Sequence, residues 1–370
     1  MERDIPAIVR NFRIAGKISG FSPETTGHIN DSFLVSIEGD ESKYFLQWVN
    51  NYIFKDVAGL MQNIEVVTRH LRTKLNNNQR NSHNRLLQLI PANDGKSFYC
   101  DENQEYWRIY RYIPGTHVYN IVENEAIAYE GGKAFGRFIS DLADLPANKL
   151  SETIPNFHNI ETRLATFYQS VKSDPVNRLK EIPLEIGFIE DRVKEMLRIP
   201  SMIRSGLLPL RITHNDTKFN NILFNEANKA ICIVDLDTVM PGSVLFDFGD
   251  AIRTGANSVC EDEKDLSKVD INLNIYKAYT RGFIKETQSS LTSAEIDYLS
   301  FSSRFMTFII GIRFLTDFLD GDPYFRTNYP DHNLIRARVQ FRLIQCMEKQ
   351  AVEMEQIVKE ALSKCKSSIN

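Results

Sequence analysis

The feature that most constrains the fold is a short non-helical segment, residues 211–250, set among long helical patterns. Within it, residues 222–225 and 230–234 are strand-like, and the polar sequence N-E-A-N-K between them is typical of a turn. On both sides of this segment, apolar residues recur at helical spacing. Helices are therefore predicted at residues 124–145, 159–171, 189–197, 266–285, 294–319 and 334–364. A strand hairpin enclosed by helices favours a mixed α+β chain.

The first third of the chain has a different pattern, rich in short strands. Alternating apolar residues and turn-like sequences predict one helix, at residues 54–74, and strands at residues 32–37, 43–49, 86–90, 96–100 and 105–112. The pattern changes at Pro114 and Gly115, and a length of 370 residues suits two domains. We therefore expect a small strand-rich N-lobe at residues 1–113 and a larger, mainly helical C-lobe at residues 114–370.

Charge and composition exclude several kinds of partner. Lys and Arg total 44 and Asp and Glu total 48, so the formal net charge is −4 and nucleic-acid binding is not expected. The strongest apolar run, residues 305–312, is far shorter than the ~20 residues that span a bilayer, so no membrane insertion is expected. The five cysteines form no C-x-x-C pair, which indicates reduced thiols in a cytoplasmic protein.

The non-helical segment contains the pattern H-x-D-x-x-x-x-N, formed by His214, Asp216 and Asn221. Phosphoryl transfer of the kinase type uses these residue types, because the Asp accepts a hydroxyl proton and the Asn holds a metal ion. Taken alone, the three residues fit an ordinary polar turn equally well.

The hairpin that follows strengthens the interpretation. If its turn is centred on Asn228, the paired residue numbers add to 456 and Asn221 lies opposite Asp235. Directly opposed side chains lie ~5 Å apart, which suits an amide oxygen and a carboxylate that share a hard cation. Asp237 would lie on the same face of the strand.

A second motif, D-F-G at residues 247–249, matches the metal-binding motif of protein kinases but lies outside the hairpin. Because Asp235 is the better placed metal ligand, we predict a structural role for Asp247. Its carboxylate would bind the loop backbone around His214.

These residues resemble the aminoglycoside phosphotransferase-like kinases. The stretches that carry the resemblance extend over most of the chain: T-G-H-I-N-D-S-F, Y-W-R-I-Y-R-Y-I-P-G, T-H-N-D-T-K-F-N-N-I-L-F, I-V-D-L-D-T-V-M-P-G, L-F-D-F-G-D and G-I-R-F-L-T-D-F-L-D-G-D-P-Y-F. The resemblance implies a bilobal protein-kinase-like fold with ATP between the lobes and Mg²⁺ at its phosphates. Its sugar-kinase branch implies transfer of the γ-phosphoryl group to the anomeric hydroxyl of an N-acetylhexosamine.

The resemblance also implies roles for individual residues. Asp216 would be the catalytic base in a loop with His214, and Asn221 and Asp235 would hold the metal ion. The residues implied for nucleotide binding are Gly27, His28, Asn30, Gln47, Glu65, Arg111, Tyr112 and Ile113. The residues implied for the sugar are His28, Asp216, Asp237, Arg313 and Tyr324. Gln47 stands where protein kinases have a lysine, and the nucleotide loop has a single glycine, so phosphate binding would depend on Mg²⁺ and backbone donors.

Several alternatives stay open at this point. Other acceptors are aminoglycosides, choline or ethanolamine, and homoserine-like alcohols; the cationic ones would favour an acidic pocket. Residues 313–326 contain both signs of charge, so charge alone does not decide. A metal-dependent hydrolase and a nucleotide-binding module without turnover are the alternatives from other functional classes.

Overall fold

The computed structural model describes residues 3–24, 29–39, 41–76 and 86–367. The predicted phosphate-covering residues Gly27 and His28 lie outside these ranges. The chain forms two compact units, each built from separate stretches of sequence. The first contains residues 1–117, 144–155 and 223–241, and the second contains residues 118–143, 156–222 and 242–370.

The structure assigns regular elements to most of the described residues. The α-helices are α1 (Ile5–Val9), α2 (Val57–Asn76), α3 (Glu125–Asp141), α4 (Ile160–Ser173), α5 (Pro183–Met196), α6 (Arg198–Arg204), α7 (Val244–Gly255), α8 (Leu273–Thr287), α9 (Ser293–Leu319), α10 (His332–Lys349) and α11 (Ala351–Ser367). The strands are β1 (Ile18–Glu24), β2 (Asp31–Ile37), β3 (Lys43–Val49), β4 (Leu89–Ile90), β5 (Tyr99–Cys100), β6 (Tyr106–Arg111), β7 (Thr116–His117), β8 (Arg211–Thr213), β9 (Ile222–Asn225), β10 (Ala230–Ile233) and β11 (Met240–Gly242).

An antiparallel sheet dominates the first unit, with strand order β1-β2-β3-β6-β4 and β5 also paired with β6. Strand β1 was missed at the sequence level because Gly20 and Pro23 lie within it. Both residues weaken a strand pattern, and proline is tolerated mainly on edge strands, which is the position of β1. Strands β2, β3 and β6 and helix α2 agree with the prediction.

Side-chain alternation gives this sheet two different faces. One face packs on α1 in an apolar core that includes Val35, Leu46, Trp107 and Ile109. Because neighbouring residues of a strand point to opposite faces, Arg108 lies on the other face, where Gln47 of β3 is its direct cross-strand partner. The alternation therefore places a charged residue on the sheet face away from that core.

The hairpin of β9 and β10 forms as predicted, but its register differs. The Asn225 N–H donates to Lys229 O at 3.0 Å and the Asn228 N–H donates to Asn225 O at 2.8 Å, so the turn closes one residue earlier than expected. Asn228 has a left-handed φ of 57°. The predicted pairing sum of 456 is therefore wrong. Asn221 ends a 3₁₀ turn before β9, and Asp235 follows the end of β10.

Helices build the second unit, and glycine lets two of them approach closely. A Cβ atom on Gly132 of α3 would lie 2.1 Å from Tyr279 O of α8. A Cβ atom on Gly282 of α8 would lie 2.2 Å from Tyr129 O of α3. The close contact of α3 with α8 therefore requires glycine at both positions.

The predicted mixed α+β fold, with strands concentrated in the N-terminal part and a larger helical part, is confirmed. Two details of the prediction were wrong. The segment 211–250 is not wholly non-helical, because α7 begins at Val244, where the Ser243 side chain caps the helix. The helix predicted at 334–364 is interrupted at Gln350. Within the described ranges, no helix combines the length and apolar content needed to cross a membrane.

Candidate active site

The loop after β8 carries the predicted catalytic residues of the second unit. His214 is completely buried, with its ring edge-on to Phe135 at 5.6 Å and Phe138 at 5.8 Å between centroids. Its Nδ1 accepts a hydrogen bond from the Asp216 N–H at 3.3 Å. These contacts suit a residue that positions Asp216; direct participation of His214 in catalysis stays a prediction.

Two carboxylates of α7, Asp247 and Asp250, accept hydrogen bonds from the backbone of this loop. Both oxygens of Asp247 accept backbone N–H groups, from His214 at 2.8 Å and from Asn215 at 2.7 Å. The structural role predicted for Asp247 is thus confirmed. One turn later, Asp250 accepts the Thr217 N–H at 3.1 Å. Burial raises the pKa of Asp247 to about 7, while the two N–H donors oppose that shift.

The Asp216 carboxylate is held by two neighbours. Lys218 Nζ lies 3.2 Å from Oδ1, and Asn221 Nδ2 donates to Oδ2 at 3.1 Å and to the Asp216 carbonyl at 2.8 Å. Burial favours the neutral acid, but Lys218, His214 and Asn221 together hold the pKa of Asp216 below its ordinary value. The side chain keeps 26% of its surface exposed. Asp216 is thus an ionised, accessible carboxylate that can accept a proton.

His158 supports the same loop from another side. Its Nε2 lies 2.9 Å from Asn215 O, and its ring packs between Phe157 and Phe246 with centroids 4.4 and 5.4 Å away. Burial lowers the pKa of His158 to about 4. A neutral imidazole therefore donates to the Asn215 carbonyl at neutral pH.

The structure brings the predicted sugar residues Arg313 and Tyr324 together. The Arg313 guanidinium lies 5.3 to 5.5 Å from the rings of Phe157, Tyr324 and Phe325. The Asp317 carboxylate accepts hydrogen bonds from the backbone N–H groups of Tyr324 and Phe325, at 2.8 and 2.9 Å. Burial lowers the pKa of Arg313, and Asp216 is near enough to oppose that shift. The Arg313 guanidinium is thus surrounded by three aromatic rings and interacts electrostatically with Asp216.

In the first unit, Arg108 connects three predicted site residues. Its guanidinium donates to both Asp237 oxygens, with Nη2–Oδ2 at 2.9 Å, and to Gln47 Oε1 at 2.9 and 3.1 Å. Asn30 Nδ2 donates to Asp237 Oδ2 at 2.6 Å. Gln47 also donates to Ser32 Oγ at 3.0 Å. Asp237 is therefore engaged with protein donors, and its contact with a sugar stays a prediction.

Asp235 differs from Asp237 in its surroundings. It is exposed and has a left-handed φ of 56°, whereas Asp237 is buried. In the second unit, the Asn221 amide nitrogen is committed to Asp216, so the amide oxygen is the atom that remains for a ligand. These oxygen donors are the kind that Mg²⁺ prefers. Among the described residues, no group of three or more His, Cys, Asp or Glu side chains forms a metal site on its own.

The other predicted nucleotide residues have local partners. Glu65 of α2 lies 3.7 Å from Arg69 of the same helix. The N–H groups of Arg111 and Tyr112 donate to Gln88 O and Lys43 O, both at 2.9 Å. Ile113 O accepts from Thr116 Oγ1 at 2.9 Å. Adenine recognition by this stretch stays a prediction and would rest on the remaining backbone groups.

Sequence reasoning missed three residues that contact the predicted residues, or the loop that carries them, within their own units. Lys218 is two residues after Asp216, and its position next to a candidate base was the available signal. Arg108 is a charged residue between Trp107 and Ile109 in a strand pattern, which was a signal of a buried partner. Asp250 lies one helical turn after Asp247, and only the structure reveals that both carboxylates bind the same loop.

An ionised aspartate held beside a lysine and an asparagine, in a chain of this fold, defines a small-molecule phosphotransferase of the kinase-like class. The chain belongs to the phosphotransferase enzyme family, whose sequence profile matches residues 85–269, half of the 370-residue chain.

Solved structures of low sequence identity share the fold. The ethanolamine kinase of Plasmodium vivax has a TM-score of 0.54 and 14% identity, with 91% of this chain and 84% of that chain covered. The choline kinase of Cryptosporidium parvum has a TM-score of 0.55 and 13% identity, with 97% and 98% covered. A spectinomycin phosphotransferase, solved with ADP and spectinomycin, has a TM-score of 0.57 and 12% identity, with 96% and 97% covered. The fold is therefore protein-kinase-like, as the resemblance implied.

Proposed function

We propose that the protein is an ATP-dependent kinase that transfers the γ-phosphoryl group to the anomeric hydroxyl of an N-acetylhexosamine. The observation that carries the transfer chemistry is the ionised Asp216 carboxylate, held between Lys218 and Asn221. The sugar acceptor rests on sequence motifs that resemble those of N-acetylhexosamine 1-kinase. The spectinomycin phosphotransferase was solved with ADP, which supports ATP as the phosphoryl donor.

In this mechanism Asp216 accepts the proton of the anomeric hydroxyl as the sugar oxygen attacks the γ-phosphorus. The bond from that phosphorus to the β-phosphate oxygen breaks, and ADP leaves. The lowered pKa of Asp216 keeps it ionised at neutral pH. His214, Asp247 and Asp250 keep the loop in place, because their bonds fix its backbone. Lys218 would then offset negative charge on the transferred phosphoryl group, the term that dominates this chemistry.

The metal ion would be held by Asn221 and Asp235. When bound, Mg²⁺ would neutralise charge on the ATP phosphates. We assign the nucleotide-covering role to the N-lobe, residues 1–113. Asn30 would be positioned by its bond to Asp237, and Gln47 by its bonds to Arg108. The sugar would contact Arg313 and Tyr324 of the C-lobe, residues 114–370.

The charges around Arg313 favour a sugar over a cationic acceptor. Asp317 is engaged with the Tyr324 and Phe325 N–H groups, and Asp322 is engaged with Arg178 and Asn333. The carboxylates of Asp317 and Asp322 are therefore already bonded to neighbouring groups of the protein. A positively charged choline, ethanolamine or aminoglycoside would meet the Arg313 guanidinium and be repelled.

An ADP-release assay with Mg-ATP and a panel of acceptors tests the proposal. The panel contains N-acetylglucosamine, N-acetylgalactosamine, glucose, choline, homoserine and kanamycin, with a no-acceptor control. ADP release with the N-acetyl sugars alone is the expected result. Release with choline or kanamycin would replace the proposed acceptor, and release without acceptor would indicate a hydrolase. Silence with every acceptor, together with nucleotide binding, would indicate a binding module.

A further inference from the structure

Arg163, on helix α4, and Arg313 contact the same residue, Phe157, in the second unit. Arg163 Nε and Nη2 donate to Phe157 O at 3.3 and 2.8 Å. The Arg313 guanidinium lies 5.3 Å from the ring of the same Phe157. Two guanidinium groups thus meet at one residue, in the region where the proposed acceptor binds.

In the part of the chain that the structure describes, neither arginine forms an ion pair with an acid. Among the described residues of the second unit, no carboxylate oxygen lies within 4 Å of either guanidinium, whereas other arginines there pair with acids, such as Arg178 with Asp322 and Arg192 with Glu348. The pKa of Arg163 is lowered to about 10, mainly by burial and to a smaller extent by the positive charge of Arg313. Asp216 offsets part of the Arg313 charge without contacting it. Two neighbouring, partly buried positive charges with no described acid in direct contact remain unfavourable, so an anion placed between them would be stabilising.

The immediate surroundings do not supply that anion. Asp317 gives its oxygens to the backbone of the Tyr324 loop and to Asn333 Nδ2 at 2.8 Å. Glu161, on the same helix as Arg163, pairs with Arg204 instead. Tyr324 is 54% exposed, so this region opens to solvent and a ligand can reach it.

We propose that Arg163 and Arg313 form an acceptor subsite that selects an N-acetylhexosamine bearing a carboxylate substituent. This inference rests on the proposed function, because it takes Arg313 and Tyr324 as the acceptor site. Arg163 is thereby a specificity-determining residue. The guanidinium groups would bind the carboxylate by charge-assisted hydrogen bonds, and they would exclude an acceptor with a free ammonium group.

The test compares three acceptors under the same Mg-ATP conditions: N-acetylglucosamine, its 3-O-lactyl ether, which carries a carboxylate, and glucosamine, which carries an ammonium group. The variants are Arg163→Gln, Arg163→Lys and the matched control Arg204→Gln, an exposed arginine paired with Glu161. KM and kcat are measured separately for each acceptor.

The wild-type protein should prefer the carboxylated sugar over N-acetylglucosamine by about tenfold or more in kcat/KM, the size expected for one charge-assisted contact of 1.5–3 kcal/mol. Arg163→Gln should remove that preference through a higher KM for the carboxylated sugar. Arg163→Lys should restore part of the preference, and Arg204→Gln should keep all of it.

Two results overturn the inference in distinguishable ways. If wild type uses both N-acetyl sugars equally, or if Arg163→Gln keeps the preference, the subsite is wrong while the kinase activity stands. If none of these sugars is phosphorylated but choline or kanamycin, assayed alongside them, is, the proposed function fails and the subsite fails with it.

Discussion

Arg108 and Asp237 form a buried ion pair in which each terminal nitrogen of the guanidinium donates to a different carboxylate oxygen. The two side chains expose only 1% and 4% of their surface. Asp237 holds the pKa of Arg108 above its ordinary value despite burial, which acts in the opposite direction. The pair joins β6 to the segment after β10, the segment that also carries Asp235.

Arg108→Met should therefore destabilise the protein strongly. Removing one partner of a buried pair leaves the other charge uncompensated, at a cost of about 3–5 kcal/mol. Urea unfolding measures the difference. The matched control is Arg111→Met on the same strand, because the Arg111 side chain is exposed and its guanidinium donates to the Ser42 hydroxyl at 3.1 Å rather than to an acid; its cost should be below ~1 kcal/mol. Similar losses for the two variants would contradict a special role for the buried pair.

The Arg108 network also illustrates what the sequence could not predict. Local patterns were sufficient for β2, β3, β6 and α2, because alternation and helical spacing are read within one segment. The meeting of Gln47 with Arg108 depends on the register between β3 and β6, and the meeting of Arg108 with Asp237 depends on a contact across 129 residues. Such long-range pairings leave no local pattern. The motif at Asp216 was predictable since its members are close in sequence, whereas the hairpin register was missed through a turn shifted by one residue.

Asp247→Asn should loosen the loop that carries Asp216. The carboxylate accepts two backbone N–H groups, and an amide has only one oxygen with which to replace them. The expected loss is about 1.5–3 kcal/mol, the range for hydrogen bonds to charged groups. It should be accompanied by a fall in kcat, since Asp216 is no longer held in place.

Urea unfolding and steady-state assays of Asp247→Asn are compared with Asp265→Asn. Asp265 also accepts a backbone N–H, from Ser267 at 3.1 Å, but its side chain is exposed. Its substitution should change neither stability nor kcat appreciably. A wild-type kcat in Asp247→Asn would show that the loop does not depend on this carboxylate.

Substitutions at Asp216 and Lys218 should separate the proton acceptor from the charge beside it. Asp216→Asn should lower kcat by about 10²–10⁴-fold, the usual contribution of a general base, with ATP affinity retained. Lys218→Met should lower kcat, and it should also raise the pKa of Asp216, because Lys218 helps to keep that pKa low. The acidic limb of the kcat profile should therefore move to higher pH.

Rate measurements from pH 4 to 9 check both variants. Lys229→Met in the hairpin turn serves as the control for removal of a lysine charge outside the loop. Near-normal turnover in Asp216→Asn would reject the base. An unmoved acidic limb in Lys218→Met would mean that the lysine does not tune the carboxylate.

Asp235→Ala should weaken nucleotide binding only when Mg²⁺ is present. The exposed carboxylate is proposed as a ligand of the metal, and binding of free ATP does not need it. Calorimetric titration of ATP with and without Mg²⁺ measures the effect, and Glu226→Ala at the exposed hairpin turn is the control. Unchanged Mg-ATP affinity in Asp235→Ala would remove this residue from the metal site.

His158 should make the protein less stable in acid. Its folded-state pKa, about 4, is below the ordinary value of 6.5, because burial opposes protonation. Between these two values the unfolded chain binds a proton that the folded chain does not, so the free energy of unfolding falls as the pH falls. The stabilisation is complete above pH 6.5 and is lost towards pH 4, by roughly 3 kcal/mol at 1.36 kcal/mol per pH unit.

Urea unfolding of wild type and His158→Gln across this pH range isolates the effect, because titration of the other groups is common to both proteins. The glutamine can still donate to the Asn215 carbonyl but does not titrate. The stability difference between the two proteins should be constant from pH 7.5 to 8.5 and should shift in favour of the variant by roughly 3 kcal/mol on going to pH 4. A difference that stays constant over the whole range would mean that His158 is protonated as readily in the folded protein as in the unfolded chain.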